Sequence, residues 1–557
     1  MAAVFWLLTL LSICSASNLP IVDLGYALHQ ANTFQSPTGL YNFSNIRYAA
    51  PPLGDLRFRA PEKPEQDRRQ VQNGSIGRVC PQGFPIWSQD IEPDFLLSQL
   101  TNTTFNKSTD ISSYPYVPYP VDPRTTEDCL FLDVIVPQKI FDRSRREHWP
   151  KKQSLAPVLV WIFGGGFAQG DKTTFDPAGL VERSTVVGDG VVYVTLNYRL
   201  GAFGWLAGDT LTQNGTANAG LHDQRLALDW VAENIHLFGG DPTRVTVMGE
   251  SSGGGSIMHH ITAYGGEAGP SSPFQQAIVQ SPGWVPVVDD KQSDQVLKQF
   301  LGILNVSTVE QARNLPSEKL MAGNAYQIAT KAPWGSFIYG PVVDGTFVPA
   351  LPGQLLQQGK YDHDLNLMTG YNANEGLVFT SPDSRNSSWL AQYLKTTFPH
   401  IKPDIVEYIT QELYPPVYDG SHGYTDSIQR TSTLNADMIF KCSIDYLNRA
   451  YNNRTFAYEF SVPPAIHGQD VLYTYYSNGT VPHNNDITVT NVTVSQVMQD
   501  YFTSFAQFGR PKSPLGPVFE QYGSRQQLMN IGNNTIRTTT DTVGNSHCRF
   551  WQPAPYL

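Results

Sequence analysis

The sequence has few charged residues and, after its first residues, no long apolar run. Charged residues make up 16% of the 557 residues, and the formal net charge is −11. A nucleic-acid partner needs a concentrated basic surface, which this composition does not supply. The one basic cluster, at residues 143–152, lies in a polar stretch that predicts a solvated loop. A membrane span needs about 20 apolar residues. We therefore expect neither a nucleic-acid partner nor a membrane span.

The sequence also lacks the short motifs of metal and nucleotide enzymes. It contains no H-E-x-x-H, no C-x-x-C and no P-loop, so we expect no metal and no other cofactor. It has no internal repeat and no low-complexity linker, although its length exceeds that of an average domain several-fold. We expect one large domain over residues 18–557. The sequence says nothing about oligomeric state.

Cysteines are scarce, and their number fits an oxidising compartment. One of the five lies in the apolar run at residues 4–14. This run is followed by Ser15-Ala16-Ser17, a pattern that predicts a secretory signal peptide over residues 1–17. Its removal leaves four cysteines, which in a secreted protein form two disulfides by default. Three pairings are open from sequence alone, among Cys80, Cys129, Cys442 and Cys548.

Eleven N-x-S/T sequons agree with a secreted, extracellular protein, because they exceed the number expected by chance at this length. We expect several of them to carry glycans. They are at Asn42, Asn73, Asn102, Asn106, Asn214, Asn305, Asn386, Asn453, Asn478, Asn491 and Asn533.

From residue 130 onward, apolar runs of strand length alternate with helix-like segments. The runs are continuously apolar, as strands buried on both faces of a sheet should be. Alternation of this kind is typical of an α/β protein with a mostly parallel sheet flanked by helices. The predicted strands are at 158–163, 191–196, 245–248 and 456–460, with a helix at 221–235 and more helical insertions at 285–360 and 376–450.

The stretch Gly249-Glu250-Ser251-Ser252-Gly253 directly follows a predicted strand and precedes a Gly-rich helix start. Small residues are needed around a serine on such a sharp strand-to-helix turn, because larger side chains would clash. This is the pattern of a nucleophile elbow, although a Gly/Ser-rich loop would look the same. We predict Ser251 as the nucleophile.

A glycine triplet, Gly164-Gly165-Gly166, follows the predicted strand at 158–163. Acyl transfer places negative charge on a carbonyl oxygen, which preorganised backbone N–H groups stabilise. The triplet matches an oxyanion loop of the HGGG type, with Phe163 in place of the histidine. We assign the oxyanion hole to the N–H groups of Gly165, Gly166 and Ser252.

The serine needs a base and a carboxylate. His467 lies in a Pro/Gly loop after the predicted strand at 456–460, whereas His259 and His260 are too far along the helix from Ser251 and are expected to pack. Glu375 lies in a turn-rich loop after an apolar segment. The order Ser251, Glu375, His467 is the order of the α/β-hydrolase fold.

With these motifs together, the sequence resembles the type-B carboxylesterase/lipase family, which contains the cholinesterases and many fungal esterases. In character it is most similar to the secreted fungal carboxylesterases. The resemblance covers nearly the whole mature chain. The matching stretches are residues 127–130, 164–167, 197–201, 238–242 and 245–254.

The resemblance implies an α/β-hydrolase fold with large insertions over the active site. It implies catalytic roles for Ser251, Glu375 and His467, and oxyanion roles for the three N–H groups named above. It also implies that the disulfides join Cys80 to Cys129, closing a loop at 80–129, and Cys442 to Cys548. The substrate is then a small carboxylic ester.

The sequence departs from the family pattern at two places. Ser252 stands where the family commonly has alanine. This substitution keeps the donated N–H group, so we expect little change in the chemistry. The loop at 80–129 is longer than in cholinesterases and has no tryptophan shortly before Cys129, so we expect no choline specificity. Trp87, near the start of this loop, is expected to be a packing residue.

Three functions fit this site to different degrees. The first is a secreted serine carboxylesterase working through an acyl-enzyme on Ser251. The second is an acyltransferase of secondary metabolism, which passes the same acyl group to an alcohol instead of water. The third is a non-catalytic binding protein, which the complete Ser251, Glu375 and His467 set disfavours. The sequence does not name the ester.

Overall fold

The computed structural model describes residues 19–35, 39–146, 155–268, 271–285, 290–477 and 488–557. The expected signal peptide at 1–17 and the sequon at Asn478 lie outside the described residues.

The strands of the described residues form one large and one small sheet. They are β1 (Ile21–Asp23), β2 (Ala27–Gln30), β3 (Thr33–Gln35), β4 (Leu40–Arg47), β5 (Asp67–Gln72), β6 (Phe131–Pro137), β7 (Ala156–Ile162), β8 (Val192–Leu196), β9 (Gly240–Glu250), β10 (Gln276–Gln280), β11 (Asn366–Asn372), β12 (Phe456–Phe460), β13 (Gln527–Ile531) and β14 (Ile536–Thr540).

The α-helices flank the large sheet or belong to the insertions. They are α1 (Glu92–Thr101), α2 (Gln138–Ser144), α3 (Ala178–Val187), α4 (Gly201–Trp205), α5 (Asp209–Thr212), α6 (Ala219–Asn234), α7 (Ser252–Ile261), α8 (Asp290–Leu304), α9 (Val309–Arg313), α10 (Ser317–Lys331), α11 (Pro352–Gln357), α12 (Trp389–Thr397), α13 (Pro403–Tyr408), α14 (Ser427–Ala436), α15 (Cys442–Ala450), α16 (Gln469–Thr474), α17 (Val492–Phe508) and α18 (Ser546–Trp551). No helix in the described part of the chain is long and apolar enough to cross a membrane.

The large sheet has the strand order β14-β13-β12-β11-β10-β9-β7-β8-β6-β4-β3. The seven strands from β8 to β13 in this order are parallel, and the strands at both edges are antiparallel. The prediction of a mostly parallel sheet with flanking helices is therefore confirmed. β7 and β8 are buried along their whole length, which explains their unbroken apolar sequence.

The register of the central strands brings four carboxyl ends to one level. Gly249 pairs with Ile162 on one side and with Val279 on the other, and Gln280 pairs with Gly370. Ligand sites of open α/β sheets lie outside this edge. The ends of β7, β9, β10 and β11 therefore surround one site.

The strand at 245–248 was predicted too short, because β9 begins at Gly240. Gly239, with φ of +87°, ends the preceding helical turn. Gly240 then pairs with Ala156, and a register shift precedes the pairing of Val245 with Val158. β10 was not predicted at all, because its apolar core is only three residues long.

Two disulfides are present, Cys80–Cys129 and Cys442–Cys548. This is the local pairing among the three that the sequence left open. The first closes the loop at 80–129, which contains α1. Trp87, in this loop, is buried and packs against Trp334 and Phe337.

Candidate active site

Ser251 lies at the sharp turn between the end of β9 and the start of α7. Its backbone has φ of +55° and ψ of −123°, a conformation that residues with a side chain rarely adopt. A Cβ atom on Gly253 would lie 2.1 Å from the carbonyl oxygen of Ile162, and one on Gly249 would lie 2.8 Å from the carbonyl carbon of Gly253. The glycines of the motif are thus needed for a close approach between this turn and β7.

His467 faces Ser251 from the loop between β12 and α16. Its Nε2 atom lies 2.8 Å from Ser251 Oγ, and its Nδ1 atom lies 2.5 Å from Glu375 Oε2. The loops after β11 and β12 meet in a β-bridge between Asn374 and Ile466, next to both side chains. The structure therefore brings the three predicted residues into one hydrogen-bonded chain.

Glu375 is fully buried, and the carboxyl oxygen that does not contact His467 is also hydrogen-bonded. Its Oε1 atom accepts hydrogen bonds from Ser281 Oγ and from the backbone N–H of Asn372, both at 2.6 Å. Burial by itself raises the pKa of this carboxyl, but the neighbouring His467 and these hydrogen bonds outweigh burial and leave the pKa below its usual range. Glu375 is therefore a carboxylate that fixes the His467 ring.

Sequence reasoning missed Ser281 and Asn372. Ser281 directly follows β10, and Asn372 is the last residue of β11. Polar residues at the carboxyl ends of neighbouring parallel strands are the signal that could have found them, because such ends meet at one edge.

Glu250 is a further carboxyl at the site that sequence reasoning did not assign. Its Oε1 atom lies 3.3 Å from His467 Nε2. Burial raises the pKa of Glu250 above its usual range. Burial lowers the pKa of His467, but Glu250 and Glu375 outweigh this effect and raise it above the usual histidine value. The site thus stabilises the imidazolium form.

The three predicted oxyanion donors lie on two segments beside Ser251. Gly165 and Gly166 have φ values of +111° and +62°, which favour glycine. Ser252 is the first residue of α7, where N–H groups have no partner within the helix. A Cβ atom on Gly164 would lie 2.9 Å from Ser251 Cβ, so the glycine loop approaches the serine closely.

A cavity of about 300 Å³ opens at Ser251. Its walls are mainly apolar and aromatic, and the polar side chains that line it include those of Gln295, Gln299 and Lys331. Such a cavity suits a mostly apolar small molecule. The aromatic wall consists of Phe167, Trp205, Trp284, Phe337, Tyr339, Phe379 and Phe440.

His259 and His260 lie on α7, and their side chains contact groups other than Ser251, Glu375 and His467, as predicted. His259 Nδ1 donates to the carbonyl oxygen of Gly255 at 2.7 Å, and His260 Nε2 contacts Gln224 Oε1 at 3.0 Å. Both are buried, and burial lowers their pKa values. They are packing residues.

The ten described sequons differ in exposure. Five asparagines are exposed, namely Asn73, Asn102, Asn106, Asn305 and Asn386. The other five are partly buried, namely Asn42, Asn214, Asn453, Asn491 and Asn533.

Comparisons with known proteins agree with this geometry. The model of the Carboxylesterase family matches residues 27–551. The chain is 38% identical to "Carboxylesterase patB" of Penicillium expansum, with 97% of each chain covered. It is 40% identical to the protein of the same name in Aspergillus clavatus, with 98% of each covered. It is 34% identical to a "Secreted lipase" of Arthroderma benhamiae, over 70% of this chain and 72% of the relative.

Two solved esterase structures share the fold. Aspergillus niger EstA superposes with a TM-score of 0.78 at 24% identity, over 97% of this chain and 99% of the other. A thermophilic PNB esterase superposes with a TM-score of 0.72 at 26% identity, over 96% and 99%. The predicted α/β-hydrolase fold is confirmed.

Proposed function

The chain belongs to the carboxylesterase family and is a serine carboxylic ester hydrolase, and we propose that Ser251, Glu375 and His467 are its catalytic residues. The observation that carries this proposal is the unbroken chain of contacts from Glu375 through His467 to Ser251 Oγ, at 2.5 and 2.8 Å. Ser251, at the end of this series of contacts, lines a cavity suited to an ester.

In the first half of the reaction, Ser251 Oγ attacks the ester carbonyl carbon while His467 Nε2 accepts its proton. The Glu375 carboxylate holds the Nδ1 proton and stabilises the imidazolium. The N–H groups of Gly165, Gly166 and Ser252 stabilise the negative oxygen, each by roughly 3 to 4 kcal/mol. His467 then returns the proton to the leaving alcohol, and the acyl group stays on Ser251.

In the second half, His467 accepts a proton from water as the water oxygen attacks the acyl carbon. His467 then returns this proton to Ser251 Oγ as the bond to the acyl group breaks and the acid is released. An alcohol in place of the water would give acyl transfer with the same residues. Product analysis with and without an added alcohol separates the two reactions.

The test of the catalytic assignment is Ser251→Ala with an aryl ester. We expect turnover to be lost while the far-UV circular dichroism and the Tm stay close to those of the wild type. A fluorophosphonate should label the wild type once per chain and leave the variant unlabelled. Turnover at the wild-type rate in Ser251→Ala would refute the assignment.

We also propose that the protein is secreted and glycosylated. Two disulfides, five exposed sequons and relatives described as secreted lipases support this proposal. When the full chain is expressed in a yeast host, the protein should be found in the culture medium, and its N-terminus should lie near Asn18. Treatment with an N-glycosidase should lower its mass, and an unprocessed intracellular product would contradict the proposal.

A further inference from the structure

We propose that Tyr198 is a positioning residue, whose hydroxyl fixes the glycine loop that donates to the oxyanion. This inference rests on the proposed roles of Gly165 and Gly166. Tyr198 is completely buried and is absent from the wall of the Ser251 cavity, so it acts through the loop and not on the substrate.

The residue before the glycine loop is held by Tyr198. The Tyr198 hydroxyl donates to the carbonyl oxygen of Phe163 at 2.8 Å, and the two rings stack at 4.4 Å with an interplanar angle of 19°. Because the peptide unit is planar, fixing this carbonyl fixes the orientation of the unit that leads into Gly164. The glycines that follow have no side chains to restrict them, so the loop needs such an external constraint.

The far end of the loop is held by the same segment. The N–H of Gly201 donates to the carbonyl oxygen of Phe167 at 2.8 Å, and the rings of Phe167 and Trp205 pack at 4.5 Å. Residues 198–205, which we name the clamp segment, therefore contact both ends of the glycine loop.

The clamp segment is itself fixed to two helices. The Arg199 side chain makes two hydrogen bonds to the buried Asp223 of α6, at 2.8 and 2.7 Å. The N–H of Ala202 donates to Asn324 Oδ1 of α10 at 2.7 Å. The clamp segment thus connects the glycine loop to α6 and α10.

Tyr198 also neighbours the third donor. Burial raises the pKa of its hydroxyl, and the Ser252 hydroxyl acts in the opposite direction. The Tyr198 hydroxyl is therefore hydrogen-bonded to the residue before the glycine loop and is close to the Ser252 side chain.

The test compares Tyr198→Phe with Tyr501→Phe. Tyr501 is a buried tyrosine of α17 whose hydroxyl also donates to a backbone carbonyl, that of Pro517 at 2.7 Å. Both changes remove one hydroxyl and keep the ring. We measure kcat and KM for an aryl ester, the Ki of a trifluoromethyl ketone that forms an oxyanion on Ser251, and the Tm, with kcat expressed per site titrated by a fluorophosphonate.

For Tyr198→Phe we expect kcat to fall about tenfold or more and Ki to increase by a similar factor. KM should stay within about twofold, because the N–H donors stabilise the transition state and not the bound substrate. Tyr501→Phe should keep kcat and Ki within about twofold. Unchanged kcat and Ki in Tyr198→Phe, or equal losses in both variants, overturn the inference. Activity in Ser251→Ala would instead overturn the proposed function, so the two failures are distinguishable.

Discussion

Glu250 Oε1 lies 3.3 Å from Nε2 of His467, the same ring nitrogen that faces Ser251 Oγ. The histidine is therefore placed between two carboxyl groups, one at each ring nitrogen. Glu375 at Nδ1 is a hydrogen-bond acceptor, whereas Glu250, whose own pKa is raised by burial, acts on Nε2 through the charge it carries when it is ionised. This arrangement favours a positively charged ring during the reaction.

The first prediction concerns this charge. His467 must be neutral to accept the serine proton, so kcat/KM falls as the pH decreases through its pKa. Glu250 raises this pKa, so Glu250→Gln should lower it and move the acid limb of the pH profile to lower pH. Glu233→Gln, at an exposed carboxylate, is the control and should leave the profile unchanged. An acid limb that stays in place in Glu250→Gln would contradict the assigned effect.

The second prediction concerns Glu375. Glu375→Gln keeps the shape of the side chain but removes the charge that fixes the ring tautomer. We expect kcat to fall by about 10³ to 10⁴, with little change in KM. Asp364→Asn, at an exposed position before β11, should keep kcat within about twofold. Steady-state kinetics on one aryl ester decide the matter, and a loss below about tenfold would be inconsistent with the proposed role.

The third prediction concerns Gly166. A Cβ atom there would lie 2.2 Å from the Phe337 ring, and the φ of +62° is strained for alanine. Gly166→Ala should lower kcat by about 10² to 10³, the effect of losing one oxyanion donor. Gly302→Ala on α8 meets nothing within 4 Å and should be neutral for kcat and stabilise by about 0.5 to 1 kcal/mol. Equal kinetics for the two variants would refute the assignment of Gly166.

The fourth prediction concerns the cavity wall. Trp284 lines the cavity and follows Gly283, whose N–H donates to the carbonyl oxygen of Ser251 at 3.0 Å. Trp284→Ala should enlarge the cavity and raise kcat/KM for bulky esters relative to a small acetate. A panel that varies the acyl and alcohol groups separately shows which half of the ester lies against Trp284. A ratio that is unchanged for every ester would mean that Trp284 contacts neither half.

The fifth prediction concerns the disulfide Cys442–Cys548, which closes a loop with a sequence separation of 106. In the chain-entropy model, its loss lowers the free energy of unfolding by roughly 4 to 5 kcal/mol. Denaturant unfolding of the double variant Cys442→Ser, Cys548→Ser should give this difference from the wild type. Wild-type stability in the double variant would exclude the expected contribution.

The sequence by itself determined the central elements of this protein. The unbroken apolar runs of β7 and β8 indicate strands buried on both faces, and the glycines around Ser251 indicate a sharp turn, because both features are local. The position of His467, in a loop after the predicted strand at 456–460, singled it out among twelve histidines, and the order Ser251, Glu375, His467 supported this choice. The four cysteines predicted two bonds, but the pairing came only from the family resemblance.

Only the tertiary structure decided what surrounds these residues. Glu250, Ser281 and Asn372 reach His467 and Glu375 because strand register makes β9, β10 and β11 end at the same level of the sheet. The same holds for Tyr198, which meets Phe163 across 35 residues of sequence. Hydrogen-bond partners of this kind depend on strand register and packing, and the sequence shows neither directly.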